Sequence, residues 1–136
     1  MTDPTCIFCR ILAGEVPCSE VYADEHALAF LDIHPFEKGH TLVIPRFHAE
    51  RLVDLPTERL ARLMPAVQTA AALLLKRLPC DGFNLLQSNG ACATQVVPHV
   101  HFHVIPRWNG RPIRWLASEY ESMGEMTALA ARLRGE

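Results

Sequence analysis

The chain has 136 residues, 49% of them apolar and 21% charged, which is close to the commonest size of a single domain and enough to bury a core. Thirteen basic residues against fifteen acidic give a net charge of −2, so no global field draws the protein to nucleic acid or to an anionic membrane, and any bound anion must be met by a local site. No apolar run approaches the roughly 18–20 residues of a bilayer span, and Met1-Thr2-Asp3-Pro4-Thr5 lacks the basic and apolar regions of a signal peptide. A cytoplasmic protein is therefore expected. Seven histidines and five cysteines remain; the odd cysteine count argues against a disulfide framework.

No linker, repeat or low-complexity tract interrupts the chain, so residues 1–136 are expected to form one domain. Cys6 to Leu12 reads as a short helix ended by Ala13-Gly14-Glu15. Val21–Ala23 and Ala27–Asp32 read as strands joined by the turn Asp24-Glu25-His26, and Thr41–Ile44 as a third strand stopped by Pro45. Asp54 or Thr57 can cap a long amphipathic helix that runs to Leu78, with Leu60, Leu63, Met64, Val67, Ala70 and Leu74 at spacings of three and four. Pro65 lies inside it and is expected to bend it or divide off its first turns. Phe83–Gln87 reads as a fourth strand, Ser88–Thr94 as a loop, Val96–Ile105 as a fifth strand, and Met126–Leu133 as a closing helix. Strands on either side of one long helix predict an α+β fold with a mainly antiparallel five-stranded sheet and short terminal helices.

The chemistry concentrates in Pro98-His99-Val100-His101-Phe102-His103-Val104-Ile105-Pro106-Arg107. In a strand, His99, His101 and His103 share one face and Val100, Phe102 and Val104 the other. Neighbouring imidazoles then start roughly 6.6 Å apart, close enough to act on one substrate. Desolvating three imidazoles with nothing to bind would be costly. Two chemistries suit such a face: a neutral imidazole attacking phosphorus to form a covalent phosphoramidate, or histidines at alternate positions holding a catalytic metal. The Cys6-x-x-Cys9 spacing similarly suits two thiolates on zinc or a redox disulfide, although no βαβ unit precedes it as in thioredoxin-like redox motifs.

His99-Val100-His101-Phe102-His103-Val104-Ile105 resembles the His-x-His-x-His-x-x signature of the histidine triad (HIT) family of nucleotide hydrolases and transferases. The likeness extends to Cys6-Ile7-Phe8-Cys9, Ala29–Ile33, Gly39–Arg46 and Asp81–Gln87, over most of the chain. The resemblance implies a HIT-like fold and a homodimer acting on a nucleotide, adenine or another purine. It makes His101 the nucleophile on the α-phosphate of a nucleoside polyphosphate, dinucleoside polyphosphate or nucleoside phosphoramidate. His103 and Gln95 would hold phosphate oxygens, His99 would support the nucleophile, and Asn89 would lie near phosphate and ribose. Asp32 matches the carboxylate on the ribose hydroxyls, and Ile11, Phe30 and Ile33 match an apolar slot for the base. From the residues alone, Asp32 could equally cap a turn, and Phe30 and Ile33 could be ordinary core. The zinc-containing members imply a structural Cys₂His₂ site of Cys6, Cys9, His48 and His99.

Two positions depart from the family pattern. Thr94 stands where glycine usually precedes the glutamine, a poor choice if that position needs positive φ. Val96 replaces a hydroxyl that could help a leaving group depart, so good leaving groups are expected to be preferred over amines, and a nucleotide sensor with slow turnover is the alternative reading. Cys18, Cys80 and Cys92 read as spare thiols. His26, His34 and His40 read as structural or surface residues, and Arg107, Arg111 and Arg114 as a solvated loop that could meet a polyphosphate tail.

Overall fold

The computed structural model describes residues 2–136. Its elements, in chain order, are α1 (Ile7–Leu12), β1 (Glu20–Ala23), β2 (Ala27–Leu31), β3 (Thr41–Pro45), α2 (Thr57–Arg77), β4 (Gly82–Gln87), β5 (Phe102–Arg107) and α3 (Met123–Arg134). The strands form one sheet in the order β1-β2-β3-β5-β4 with every neighbouring pair antiparallel, the α+β architecture expected. β2 and β3 are buried at every position because both faces of the sheet are covered there, which is why they read as continuous apolar runs instead of alternating ones. On one face Ala29, Leu31, Val43 and Val104 pack against Leu63, Val67, Ala70 and Leu74 of α2, and α3 joins the same core through Met126, Ala130 and Leu133. On the other face Leu28, Phe30, Leu42 and Ile44 pack against Cys6, Phe8 and Cys9 around α1.

Local chemistry explains the element ends, with three corrections. Neither Asp54 nor Thr57 caps α2: its N-cap is Pro56, which makes no side-chain cap, while the Asp54 side chain accepts from the Arg51 amide in the preceding turn. α2 is not divided at Pro65 but continues from Thr57 to Arg77; Pro65 and Ala61, whose carbonyl loses its partner, are both exposed, so water satisfies the freed group. The fifth strand begins at Phe102, six residues later than the expected Val96. Before it, Pro98 has no amide to give and the Val100 amide is bound to Ala49 O at 2.8 Å, so His99 and His101 sit on an irregular entry to the strand. α3 starts at Met123 because Ser122 caps it, accepting from Glu125 N at 3.1 Å. Gly39, at φ +104°, leads into β3 where an added Cβ would come within 2.7 Å of Leu78 Cδ1, so no side chain fits there. Among the described residues no helix is long and apolar enough to cross a membrane.

Candidate active site

The hydrogen bonds of buried His40, His99 and His101 and half-buried His103 determine where each ring carries its proton. His101 Nδ1 lies 2.7 Å from His99 O; a carbonyl only accepts, so Nδ1–H donates and Nε2 keeps its lone pair. His40 Nδ1 accepts from the Phe36 amide at 3.0 Å. Its Nε2 therefore carries the hydrogen and donates to His103 Nδ1 at 2.9 Å, which in turn leaves His103 with an Nε2–H donor. The rings of His101 and His103 lie 4.9 Å apart. All of these imidazoles are neutral at pH 7. Burial pushes His40 down to about 4, outweighing the opposing Asp32 carboxylate. Burial followed by the neighbouring His101 and His40 pushes His103 to about 3. His101 is also lowered by burial, against the pull of the His99 carbonyl and Asp32.

His101, His103 and His40 line a cavity of about 660 Å³ with Asp32, Thr94 and Val96. Ile11, Phe30 and Ile33 line the same cavity; Phe30 is also part of the core beneath it, whereas Ile33 is 61% exposed. Asp32 caps a turn and also faces the cavity. Oδ1 accepts from the His34 amide at 2.8 Å and closes a turn, while Oδ2 lies 3.6 Å from His40 Nε2. Gln95 and Asn89 are placed differently from the expectation. The Gln95 amide is spent on backbone, accepting from Gly90 N and donating to Glu50 O and Val97 O. Asn89 accepts from Leu52 N at 2.7 Å and exchanges hydrogen bonds with the Gln87 amide. Neither lines the cavity; both shape the loop that does. Within that loop Thr94 takes φ +71° and ψ 22°, and it is the one non-glycine residue with positive φ among the described residues. Arg107 and Arg111 are also spent elsewhere, on Asn84 and Trp115 and on Glu37 and Trp108.

His99 belongs to a second centre. Its Nε2–H donates to Pro45 O at 3.0 Å, so Nδ1 presents a lone pair 3.4 Å from Cys6 Sγ, 3.7 Å from Cys9 Sγ and 3.2 Å from His48 Nδ1. Cys9 Sγ is 3.4 Å from His48 Nδ1. A tetrahedral zinc bonded at about 2.3 Å to sulfur and about 2.0–2.1 Å to nitrogen separates its ligand atoms by roughly 3.3–3.8 Å, so the four donors fit such an ion. The outer shell fits as well: Asp3 N lies 3.4 Å from Cys9 Sγ and the Asp3 carboxylate 3.9 Å from His48 Nε2. The three triad rings do not converge on one metal. His99 turns to the thiols, His101 Nδ1 is bound to a carbonyl, and the Phe36 amide fills the His40 lone pair that would free His40 Nε2 to ligate beside His103 and Asp32.

The sequence profile of the HIT domain matches residues 13–110. The chain belongs to the HIT family. It is 40% identical over 139 aligned positions to an adenosine 5'-monophosphoramidase of Saccharomyces cerevisiae, covering 98% of this chain and 85% of that one. Among solved structures, a HIT-like protein of Bartonella henselae is 35% identical over 99% of this chain and 98% of its own, with a TM-score of 0.89. A zinc-bound histidine triad protein of Mycobacterium smegmatis is 38% identical over 96% and 94%, with a TM-score of 0.85. Within this HIT chain, sequence reasoning missed His40, read as structural or surface. Its signal was available only in the fold, since His40 meets His103 across 63 positions.

Proposed function

We propose that this HIT chain hydrolyses a nucleotide at its α-phosphate through a nucleotidyl-histidine on His101. The observation that carries the reading is the 2.7 Å bond from His101 Nδ1–H to His99 O, which leaves the Nε2 lone pair on a neutral ring lining the cavity at pH 7. Nε2 attacks phosphorus and the bond to the leaving group breaks. The positive charge on the imidazolium is stabilised where Nδ1–H meets the carbonyl. Water then attacks phosphorus, the P–N bonding pair returns to His101 as the neutral ring, and the proton lost by water balances the one taken up by the leaving group that departed with its bonding pair. His103 Nε2–H serves as a fixed donor to phosphoryl oxygens, and catalysis consists largely of positioning and charge stabilisation. Asp32 accepts from ribose hydroxyls, and Ile11, Phe30 and Ile33 take a purine base.

Zinc bound by Cys6, Cys9, His48 and His99 would be a closed structural centre without an open position. His99 would then join the two sites, its ring on the metal and its carbonyl on the nucleophile. Reduced thiolates at that centre favour a cytoplasmic location. A homodimer is supported by the edge strand β4, whose Phe83 and Leu85 are 39% and 46% exposed on one face.

A regulatory nucleotide-binding protein with slow turnover is the second reading, favoured by Val96, an apolar residue 89% exposed that lines the cavity. One experiment separates the two: wild type and His101→Ala are compared on adenosine phosphoramidate, an adenylate and a dinucleoside polyphosphate, with intact mass measured after an acid-free quench. Turnover with a nucleotide adduct on wild type alone supports the covalent route. Equal turnover by both proteins removes His101 from the role, and binding without turnover favours the sensor.

A further inference from the structure

Residues 108–122 run without helix or strand between β5 and α3, yet with the residues on either side they hold five consecutive residues of the loop ahead of β3. Ser118 donates to Pro35 O from both its amide, at 2.8 Å, and its hydroxyl, at 2.7 Å. Trp115 packs edge-on against Phe36 at 5.9 Å, itself clamped from behind by the Arg107 guanidinium 4.8 Å over the indole. Arg111 pairs with Glu37 at 2.8 Å, Glu125 with Lys38 at 2.8 Å, and the Tyr120 hydroxyl accepts from Gly39 N at 3.0 Å. Behind Phe36 lies a second cavity of about 460 Å³, bordered by Trp108, Arg111, Ser118 and Leu129. The loop is buried at Pro35 and Gly39, and between them the strap contacts Phe36, Glu37 and Lys38.

This loop carries the amide that orders the catalytic cavity. Phe36 N–H fills the lone pair of His40 Nδ1, which puts the His40 hydrogen on Nε2, against His103 Nδ1, and so puts the His103 hydrogen on Nε2. The Phe36 ring also lies 5.1 Å from the His40 ring. We propose that the C-terminal strap, residues 107–125, is a positioning device for the site. By gripping residues 35–39 it keeps the Phe36 amide on His40 and thereby sets which nitrogen of His103 faces the substrate as a donor. The proposal rests on the reading of His103 as a phosphate donor. Trp115, Ser118 and Tyr120 are positioning residues that touch neither nucleotide nor reacting atoms in this scheme.

The test uses full-length, zinc-loaded protein with ¹⁵N-labelled histidine, in wild type, Trp115→Leu, Ser118→Ala, Tyr120→Phe and the conservative Trp115→Phe. Long-range ¹H–¹⁵N spectra should show His40 and His103 as Nε2–H tautomers in wild type. In Trp115→Leu and Ser118→Ala a His103 Nδ1–H population should appear, and kcat on adenosine phosphoramidate should fall about tenfold, the scale of one lost orienting hydrogen bond, with KM little changed. Trp115→Phe should restore both readouts. If a variant does not fold, Tyr120→Phe, which deletes one oxygen, takes its place. Unchanged tautomers and kcat in folded variants would overturn the proposal, as would an Nδ1–H His103 in wild type. Absence of nucleotide turnover in wild type would count against the hydrolase reading instead, and the tautomers would still decide the role of the strap.

Discussion

Replacing Thr94 with glycine should stabilise the protein. A β-branched residue at φ +71° and ψ 22° brings Cβ against the backbone, at a cost of about 1–2 kcal/mol relative to glycine. Glycine returns about 0.5–1 kcal/mol of that through the greater freedom of its unfolded chain. The Thr94 hydroxyl bond to Ala93 O is exposed and adds little. The net expectation is about 0.5–1 kcal/mol, or about 2–3 °C in melting temperature for a domain of this size. Calorimetry on the zinc-loaded protein measures it, with Thr94→Ala as the intermediate that keeps Cβ but loses the branch. Residue 94 lines the cavity, but its amide is already bound to Ala91 O and the next one to Gly90 O, so KM should change little. A lower melting temperature for both Thr94→Gly and Thr94→Ala would refute the strain argument and make the hydroxyl bond to Ala93 O a structural contact.

Acid should unfold the protein through its buried histidines. His40 and His103 are held at about 4 and about 3, below the ordinary value near 6.5, so the unfolded chain takes protons that the folded one refuses. Their stabilising contribution is complete above about pH 6.5 and drains away as pH falls towards 3–4; denaturant midpoints measured from pH 8 to 4 should fall steeply below 6.5, and a flat profile would contradict the burial of these rings. Chelation should lower the melting temperature and the protection of the amides of residues 6–9 from hydrogen exchange, and about one equivalent of zinc should be found in protein purified without added metal; less than a tenth of an equivalent rejects the centre. Val96→Ser should raise turnover of phosphoramidates relative to dinucleoside polyphosphates, measured as a ratio of kcat/KM values, because a hydroxyl donor can assist an amine leaving group; an unchanged ratio removes residue 96 from that role.

The parts of this fold that could be read from the chain are those set by local pattern. β2, β3 and β4 announce themselves through apolar runs bounded by turns, and α2 through its spacing of three and four. Cys6 and Cys9 limit the metal donors through their interval. The parts that could not be read depend on partners distant in sequence. A single histidine between Gly39 and Thr41 has no local periodicity to separate it from a surface residue, although it is 1% exposed and bonded to His103. The alternation of His99, His101 and His103 assumed a strand that starts only at Phe102, so it grouped His99 with rings that it in fact leaves. Gln95 and Asn89 match family residues at or near the phosphate, but an amide side chain serves a loop backbone as well as an anion, and their bonds to Gly90, Glu50, Val97 and Leu52 are visible only in the fold. Ser122-x-x-Glu125 is a helix-start pattern that sets the first turn of α3 ahead of its apolar residues.

His99 meets Cys6 across 93 positions of the chain, and its carbonyl accepts from His101 Nδ1. During synthesis the first cysteine leaves the ribosome long before its imidazole partner exists, so this contact is among the last that folding can close. If zinc joins the two, a newly made molecule fixes the His99–His101 contact only after both segments have been made and an ion has been captured. Metal scarcity in the cell would then reduce the number of working molecules, not the speed of each.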